Sequence, residues 1–364
     1  MLKNKILLLF TNHRTAEKLW PIIPELAKTY TLDLFLVGLF SPKTPWIGDI
    51  DERKEFINLY SKYLNKVIEG PGVKFHGDSI NEDLSNYLDI DSYSLVIFDD
   101  NRAMSEFSIP NLYQKFKSKN ILVIGNSHGN EEYSRNHLAI NQSFDKVFTF
   151  GYKEKYIIEN NFKINSNDLF EGGIPQNDLL KNYTKNNKHI LVITNFLGNR
   201  SSIFPINFNS NFIKKSGLIK LSEEYNLPII IKQKTRLDDP NYQNNINYIK
   251  NLLDCQIITN SSDINQIIAD SAFVISSPST LSFKPIQLGI PTVLIKESGQ
   301  IGNFYDYIGL VDLDENKIKE SIELQTNFGK QEDFIKFTIK GGEEFNSTKY
   351  YINIIKNCLN ETHL

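Results

Sequence analysis

Two histidines and two carboxylates follow short apolar runs in the first half of the sequence. His13, Asp99, Asp100 and His128 each lie within three residues of the end of such a run. A histidine takes up a proton near neutral pH, whereas a carboxylate, with its ordinary pKa of roughly 4, is a weak base unless burial raises that pKa. The set therefore indicates removal of a proton from a hydroxyl group. The structural alternatives are a histidine bonded to its own loop and a carboxylate that caps the next helix.

The second half of the sequence supplies hydroxyls, amides and cations after its own apolar runs. The candidates for binding a phosphate-containing donor are Asn195, Arg200, Lys232, Lys234, Ser277, Ser279, Thr280 and Lys284. Cations offset the negative charge that develops on a departing pyrophosphate. Ser279 or Thr280 is expected to cap a helix whose free N–H groups and dipole favour an anion. The alternative is that these hydroxyls only cap a structural helix.

Ten short runs rich in Val, Ile, Leu and Phe alternate with helical patterns along the chain. Continuous apolar strands between helices are typical of a parallel sheet that is covered on both faces. The predicted strands are Lys5–Phe10, Leu32–Val37, Ser94–Phe98, Ile121–Gly125, Lys146–Phe150, His189–Thr194, Pro228–Lys232, Gln256–Thr259, Ala272–Ile275 and Pro291–Ile295. Helical spacing of apolar residues predicts helices over 17–30, 214–225, 263–270 and 345–359.

The strands fall into two groups of five, which predicts an α/β fold of two Rossmann-like domains that face a central cleft. A polar segment before His189 separates residues 1–180 from residues 188–342, and a helix within 343–364 is expected to pack near the junction. Ligands of open parallel sheets bind beyond the carboxyl ends of the strands. The candidate residues of both halves fall at such ends.

The overall composition excludes several classes of protein. Lys and Arg number 40 against 43 Asp and Glu, for a net charge of −3, whereas nucleic-acid-binding proteins usually have a basic excess. Cys255 and Cys358 lie too far apart in the chain to form a disulfide framework or a metal-ligand motif. The first apolar run is too short for a signal peptide, and no run reaches the roughly 18 residues of a membrane helix. We expect a cytoplasmic protein, and a peripheral position at the inner face of the membrane stays open.

The segment 269–295 combines a strand, a Ser-Ser-x-x turn, a short helix and Leu288-Gly289-Ile290-Pro291. In this it resembles the nucleotide-binding region of glycosyltransferases of the GT-B type. The resemblance is nearest to the branch that contains the CDP-glycerol glycerophosphotransferases and the UDP-N-acetylglucosamine 2-epimerases. Three further segments are similar to that superfamily: the opening strand and helix at 5–28, the Gly-x-Pro-x-x-Asp sequence at 173–178, and the segment 262–270.

The resemblance implies a glycosyltransferase that moves a sugar from a nucleotide-activated donor to a surface polysaccharide or lipid-linked acceptor. It implies UDP, CDP or CMP as the donor nucleotide, no further cofactor and no metal. The first domain would take the acceptor and the second the donor. His128 and Gly129 match a His-Gly that acts as base in the glycerophosphotransferase branch, so His128 is the first candidate for proton removal. The alternatives are transfer of a polyol phosphate and a catalytically degenerate scaffold of a capsule assembly complex.

The sequence also departs from the family pattern. Many of these transferases carry a Glu where this sequence has Lys284, and their Lys-Pro-His-Pro is replaced by Lys232-Gln233-Lys234-Thr235, so only Lys232 matches. The added positive charge would suit a donor with an extra carboxylate, such as a CMP-activated acidic sugar. Thr11-Asn12-His13-Arg14 lacks the Gly-Thr-Arg-Pro-Glu pattern of the 2-epimerases, which disfavours epimerisation.

Overall fold

The computed structural model describes residues 4–43, 50–73, 80–100, 110–127, 144–162, 165–194, 196–197, 207–233, 242–258, 263–296, 302–329 and 331–361. The chain forms two compact units. The N-terminal unit comprises residues 1–129, 133–178 and 336–364, and the C-terminal unit comprises residues 130–132 and 179–335. The last part of the chain therefore returns to the N-terminal unit.

The N-terminal unit contains a parallel sheet of seven strands. They are β1 (Lys5–Phe10), β2 (Thr31–Gly38), β3 (Lys66–Gly72), β4 (Leu95–Phe98), β5 (Leu122–Asn126), β6 (Lys146–Thr149) and β7 (Leu169–Glu171). Their order in the sheet is β3-β2-β1-β4-β5-β6-β7. The order reverses between β1 and β4, and this switch point is where Rossmann-type sheets place their ligands.

The C-terminal unit contains a second parallel sheet, of six strands, and a two-stranded ribbon. Their strands are β8 (His189–Thr194), β9 (Phe196–Leu197), β10 (Asn207–Phe208), β11 (Ile229–Gln233), β12 (Cys255–Ile258), β13 (Ser271–Ser276), β14 (Thr292–Ile295) and β15 (Leu310–Val311). The six-stranded order is β12-β11-β8-β13-β14-β15, and β9 pairs with β10. The switch point of this sheet lies between β8 and β13.

Helices connect the strands in both units. The α-helices are α1 (His13–Ala16), α2 (Ile22–Leu26), α3 (Ile50–Tyr60), α4 (Pro110–Ser118), α5 (Tyr152–Phe162), α6 (Ser210–Ser216), α7 (Leu218–Tyr225), α8 (Tyr242–Leu252), α9 (Ile264–Ala269), α10 (Phe283–Gln287), α11 (Glu315–Phe328), α12 (Glu332–Thr338) and α13 (Ser347–Glu361). Short 3₁₀ segments lie at Glu17–Leu19, Ser61–Tyr63, Leu84–Tyr87, Ile90–Ser92, Ser166–Asp168, Pro175–Asn182, Thr280–Ser282 and Gly302–Phe304.

All ten predicted runs form strands, and each end differs from the prediction by no more than one residue. The ten predicted strands fall five and five into the two large sheets, and β3, β7 and β15 are additional strands that the sequence analysis did not predict. The sequences of these three strands give little indication of a strand. β3 ends in Gly70-Pro71-Gly72, and β7 and β15 are only three and two residues long. The predicted continuous helix over 17–30 was wrong. Pro21 lacks the N–H that a helix interior needs, so the chain forms a 3₁₀ segment and then starts α2 after Pro21.

Both faces of each sheet are buried, as the continuous apolar runs predict. Along β1, Leu7 and Leu9 pack on one face, whereas Ile6, Leu8 and Phe10 pack on the other. The residues of β8 alternate between two buried clusters in the same way. The polar candidates that the sequence singled out therefore lie at the strand ends, although Asp33 within β2 is also a buried carboxylate.

The terminal helix α13 packs on the N-terminal unit against α2 and β7. Tyr351 stacks on Phe148 with ring centroids 4.2 Å apart, and Ile355 is fully buried. The helix begins at Ser347, where the carboxylate of Asp178 accepts hydrogen bonds from the N–H groups of Ser347 (2.9 Å) and Thr348 (2.7 Å). The predicted Gly-x-Pro-x-x-Asp sequence thus ends in the residue that caps the terminal helix.

The same contact explains why residue 173, the first residue of that sequence, is a glycine. Its φ is +75°, and a Cβ atom there would lie 2.4 Å from the Lys340 carbonyl oxygen and from the Ser347 hydroxyl. Any side chain would push the start of α13 away. The sequence motif therefore has a structural role in the N-terminal unit.

We expect Asp178→Ala to destabilise the N-terminal unit by about 1–3 kcal/mol, because two N–H groups at a helix start lose a buried acceptor. Both tryptophans of the chain, Trp20 and Trp46, belong to this unit, so urea unfolding followed by tryptophan fluorescence reports on it. The matched control is Asp314→Ala, which removes an exposed cap from α11 in the C-terminal unit. A tryptophan transition that shifts equally in both variants would contradict this assignment.

Candidate functional site

Asp99 holds the chain that follows β1. Its Oδ1 accepts hydrogen bonds from the N–H and the hydroxyl of Thr11, both at 3.0 Å. Its Oδ2 accepts from the N–H of Asn12 at 3.0 Å and from the hydroxyl of Thr15 at 2.7 Å. The side chain is fully buried, and its four bonds use the lone pairs that a carboxylate can offer. This is the geometry of a structural clamp between β1 and β4.

The clamp occupies the place where a Rossmann domain receives phosphate. In dinucleotide-binding domains, the N–H groups after the first strand and at the next helix start bind the pyrophosphate. Here the N–H groups of Thr11 and Asn12 are bound to Asp99, directly before α1. A phosphate at this switch point would meet a buried carboxylate instead of free donors. The N-terminal unit therefore offers a poor site for a nucleotide diphosphate.

Burial, together with the adjacent Asp100, raises the pKa of Asp99 to about 7, although its hydrogen bonds to Thr15, Asn12 and Thr11 act in the opposite direction. Asp100 is also fully buried. Two carboxylates at the end of one buried strand are thus held close together. The structure confirms that the predicted pair lies at the carboxyl edge of the sheet.

A buried lysine and a buried glutamate lie beside this pair, and the sequence did not single them out. Burial lowers the pKa of Lys18, whereas Asp100 and Glu154 favour its charged form. Burial raises the pKa of Glu154 to about 7, against its hydrogen bonds and the charge of Lys18. The side chains meet at Ser127: the Lys18 Nζ donates to the Ser127 carbonyl at 3.3 Å, and the Ser127 hydroxyl donates to Glu154 Oε1.

A small pocket adjoins these groups in the N-terminal unit, and its polar lining includes Thr15, Lys18, Asp99, Asn126 and Ser127. The Asn126 side chain donates to the Phe98 carbonyl at 2.6 Å and accepts from the Tyr351 hydroxyl at 2.8 Å. The terminal helix therefore reaches the end of β5. The ends of β1, β4 and β5 all contribute polar residues to this region.

His13 lies in the same loop but is packed among aromatic rings. Its ring centroid lies 5.4 Å from that of Trp20 and 5.8 Å from that of Phe40, and its exposed fraction is 9%. Its Nε2 has no hydrogen-bond partner in the described part of the chain. His13 is therefore part of the apolar wall of this loop, whereas Asp99 and Asp100 are not.

The C-terminal unit presents hydroxyls at the corresponding switch point. The hydroxyls of Ser276 and Ser279 each lie 3.1 Å from that of Ser282, and the Ser282 hydroxyl donates to the Ser277 carbonyl at 3.1 Å. The sequence predicted that Ser279 or Thr280 caps the following helix; Ser279 does lie at the N-cap position, but its hydroxyl pairs with Ser282 and with no backbone N–H. Gly289, with φ of +67°, lies after α10 in the left-handed conformation expected of a helix end.

Two predicted lysines of this unit lie within the described residues. Lys284 is buried in α10, and its Nζ donates to Asn265 Oδ1 at 2.8 Å. Lys232 is half-buried at the end of β11, and its Nζ donates to the Gln233 carbonyl at 3.1 Å. The side chain of Gln233 is buried as well, with no partner for its Oε1 among the described residues. Ser277 is buried, whereas Ser279 and Thr280 are partly exposed.

The remaining predicted site residues lie outside the described residues: His128, Asn195, Arg200 and Lys234. Within the described ranges, no group of three or more His, Cys, Asp or Glu side chains is arranged to hold a metal ion. In the same ranges, every helix is too short or too polar to cross a membrane.

No protein family model matches this chain, and no curated protein matches it. Solved structures match it at the level of the fold. The UDP-GlcNAc 2-epimerase of Neisseria meningitidis, bound to UDP-GlcNAc, is 14% identical with a TM-score of 0.64, over 97% of this chain and 100% of that one. The UDP-GlcNAc 2-epimerase of Methanocaldococcus jannaschii is 13% identical with a TM-score of 0.60, over 97% and 99%.

The wall teichoic acid polymerase TagF, as a variant soaked with CDPG, matches with a TM-score of 0.57 at 11% identity, over 100% of this chain and 90% of that one. Identities this low establish the fold alone. The two-domain GT-B fold that the sequence resemblance implied is therefore confirmed. The reaction has to be argued from the residues at the strand ends.

The raised pKa of Glu154 gives a prediction for stability against pH. Between its ordinary value of 4.5 and about 7, the folded state holds this proton more tightly than the unfolded state does. Stability therefore falls as the pH rises through this range. Glu154→Gln keeps an acceptor for the Phe150 N–H and does not titrate, so we expect its melting temperature relative to wild type to rise between pH 5 and pH 7. Melting curves of both proteins at pH 5, 6, 7 and 8 measure this difference.

The control for that series is Glu223→Gln, which removes an exposed carboxylate from α7. Its difference from wild type is expected to stay constant over the same range. A constant difference for Glu154→Gln would contradict the raised pKa.

Proposed function

We propose that this protein is a glycosyltransferase that moves a sugar from a nucleotide-activated donor to a surface polysaccharide or lipid-linked acceptor, without a metal ion. The observation that carries the proposal is the chemical contrast between the two switch points. At the N-terminal one, Asp99 already occupies the phosphate-binding N–H groups. At the C-terminal one, the described chain after β13 carries the hydroxyls of Ser277, Ser279 and Thr280. The N-terminal unit is therefore suited to removing a proton, and the C-terminal unit is suited to binding a phosphate group.

The donor nucleotide is assigned to the C-terminal unit. Ser277, Ser279 and Thr280 offer hydroxyls at the end of β13, and Lys232 offers a cation at the end of β11. These groups are chemically suited to a diphosphate, because a departing nucleotide gains negative charge during transfer. UDP, CDP and CMP remain the candidate nucleotides, and Lys284 in place of a glutamate favours a donor with an additional negative group.

The acceptor is assigned to the N-terminal unit. His128 is the proposed base toward the acceptor hydroxyl, on the strength of its His-Gly resemblance and of its place after β5. Asp100 is the second candidate. Asp99 is a less suitable base, because its four hydrogen bonds leave no lone pair for a substrate proton.

A second candidate is transfer of a polyol phosphate from a CDP-activated donor. It is supported by the fold likeness to the teichoic acid polymerase over the whole chain and by the same His-Gly resemblance. Epimerisation, which needs no acceptor, is less well supported than either transfer reaction. The reason is that Thr11-Asn12-His13-Arg14 departs from the epimerase pattern. A scaffold without activity would bind none of these donors.

Thermal-shift measurements with UDP, CDP, CMP and GDP test the donor assignment first. A ligand that binds only the folded state raises the melting temperature, and the stabilisation grows with the logarithm of the ligand concentration relative to its Kd. We expect one pyrimidine nucleotide to stabilise the protein. The matching sugar or polyol donor should then be consumed only in the presence of an acceptor. No shift with any of the four nucleotides would favour the scaffold.

We expect the double change Ser279→Ala with Thr280→Ala to weaken binding of that nucleotide about tenfold, which corresponds to about 1.4 kcal/mol. Titration calorimetry measures the affinity. The matched control is Ser222→Ala, which removes a hydroxyl bonded to the Leu227 carbonyl at the far end of α7 in the same unit. Undiminished affinity in the double variant would place the nucleotide elsewhere.

A further inference from the structure

Two buried glutamines of the C-terminal unit differ in their hydrogen bonding. Gln325 on α11 is 3% exposed, and its Oε1 accepts from the Thr292 N–H and from the Tyr307 hydroxyl, both at 2.9 Å. Its Nε2 donates to the Thr292 carbonyl and to the Ser321 hydroxyl, both at 3.0 Å. Gln233 at the end of β11 is 2% exposed, and its Oε1 has no partner among the described residues. The fold therefore explains Gln325 but not Gln233.

An unpartnered amide oxygen inside a protein is unfavourable. Folding removes it from water without replacing the hydrogen bond that water supplied, and for this reason most buried polar side-chain atoms have a partner. Stability alone favours an apolar side chain of similar length at position 233, because such a side chain would avoid this loss. A group that binds to the amide supplies the missing partner. The glutamine is therefore better explained by a ligand than by the fold.

Gln233 lies where an open parallel sheet binds its ligands. It is the last residue of β11, at the carboxyl edge of the six-stranded sheet. Its register partner is Thr194, the last residue of β8, and β8 borders the switch point with β13. Because side chains alternate along a strand, Gln233 continues the buried face of Ile229 and Ile231. The unpartnered oxygen is thus inside the C-terminal unit, next to the strand ends to which the donor is assigned.

The chemistry of Oε1 limits which part of a donor it can meet. An amide oxygen accepts hydrogen bonds and donates none, so it is unsuited to a phosphate, whose oxygens are also acceptors. The sugar that is transferred has to reach an acceptor, whereas Oε1 lies inside the C-terminal unit. The nucleoside is the part of the donor that stays with this unit. It carries hydrogen-bond donors in its ribose hydroxyls and in the N–H groups of its base.

The spacing of the strands agrees with this choice. β8 lies between β11 and β13, and neighbouring strands are about 4.8 Å apart, so the ends of β11 and β13 are about 10 Å apart. A ribose and its base extend over such a distance from a phosphate bound after β13. The torsion that orients a glutamine amide is broad, so rotation of the amide can turn Oε1 toward a ligand at the strand end.

We propose that Gln233 is a specificity-determining residue for the donor, and that its Oε1 accepts a hydrogen bond from the nucleoside, through a ribose hydroxyl or through an N–H of the base. The proposal rests on the function proposed above, because it requires that the C-terminal unit binds the nucleotide. It adds a hydrogen-bond acceptor to a site whose other residues are assigned to the phosphates: Lys232, Ser277, Ser279 and Thr280.

The test is Gln233→Met in the full-length protein, because methionine has nearly the length of glutamine but no amide. We expect the variant to raise the Kd of the nucleotide about tenfold, measured by titration calorimetry with UDP, CDP and CMP. Without nucleotide, the variant should melt about 2–4 °C above wild type, because a buried polar group without a partner is removed. A merely structural glutamine would show neither the gain in stability nor the loss of affinity.

The matched control is Gln325→Met in the same unit. Gln325 bonds to Thr292 at the start of β14, which is the opposite edge of the sheet, and the variant loses its four hydrogen bonds. We expect Gln325→Met to lower the melting temperature and to keep the Kd of the nucleotide within twofold of wild type. The two glutamine variants should thus change stability in opposite directions.

The 2′,3′-dideoxy form of the tightest-binding nucleotide identifies the group that donates to Oε1. If Gln233→Met does not weaken binding of this analogue relative to wild type, the donor is a ribose hydroxyl. If the tenfold loss persists with the analogue, the donor is an N–H of the base. Both results support the proposal.

Two other results would overturn it. Unchanged affinity of Gln233→Met for the nucleotide would mean that the amide does not meet the nucleoside. A melting temperature below that of wild type in the absence of nucleotide would mean that the amide has a structural partner. The proposed function is judged on wild type alone: if wild type binds none of UDP, CDP and CMP, that function fails and this proposal with it. If wild type binds and Gln233→Met binds equally well, only this proposal fails.

Discussion

The carboxylate of Asp99 is the contact on which the loops of the N-terminal unit depend. It binds two backbone N–H groups and two hydroxyls of the segment 11–15, and all of these groups are buried. Without that carboxylate, the N–H and the hydroxyl of Thr11 would lose their buried acceptor, at a cost of about 1–3 kcal/mol each. The same contact places a negative group where a Rossmann domain otherwise receives phosphate. A single buried side chain thus shapes the loop and makes this switch point unsuited to a phosphate group.

Burial at the carboxyl edge of the N-terminal sheet also changes the pKa values of the ionisable groups there. Burial raises the pKa of Asp99 and of Glu154 to about 7, and the neighbouring charge of Asp100 adds to the increase at Asp99. Such groups exchange protons easily in the pH range in which hydroxyl acceptors react. After β13, the hydroxyls of Ser276, Ser279 and Ser282 bond to one another and to the Ser277 carbonyl.

The sequence predicted the strands well because each is buried on both faces and therefore reads as a continuous apolar run. It also placed Asp99 and Asp100 correctly at the carboxyl edge, since strand ends follow from strand positions. It could not identify Lys18 and Glu154. Charged residues in a helical pattern usually indicate a solvated surface, and only the fold brings Lys18 next to a carbonyl that lies 109 positions away. Likewise, the spacing Gly-x-Pro-x-x-Asp gave no indication that Asp178 caps a helix 169 positions later.

That cap links the terminal helix to the candidate site. Asp178 fixes the first N–H groups of α13, and Tyr351, one turn further along, donates its hydroxyl to Asn126 at 2.8 Å. Asn126 precedes Ser127, which Lys18 and Glu154 hold from two other elements. The end of β5 is therefore fixed by the 3₁₀ segment Glu17–Leu19, by α5 and by α13 at once. The chain thus returns across more than two hundred residues to fix one strand end, and a site that depends on that end is supported by three separate elements.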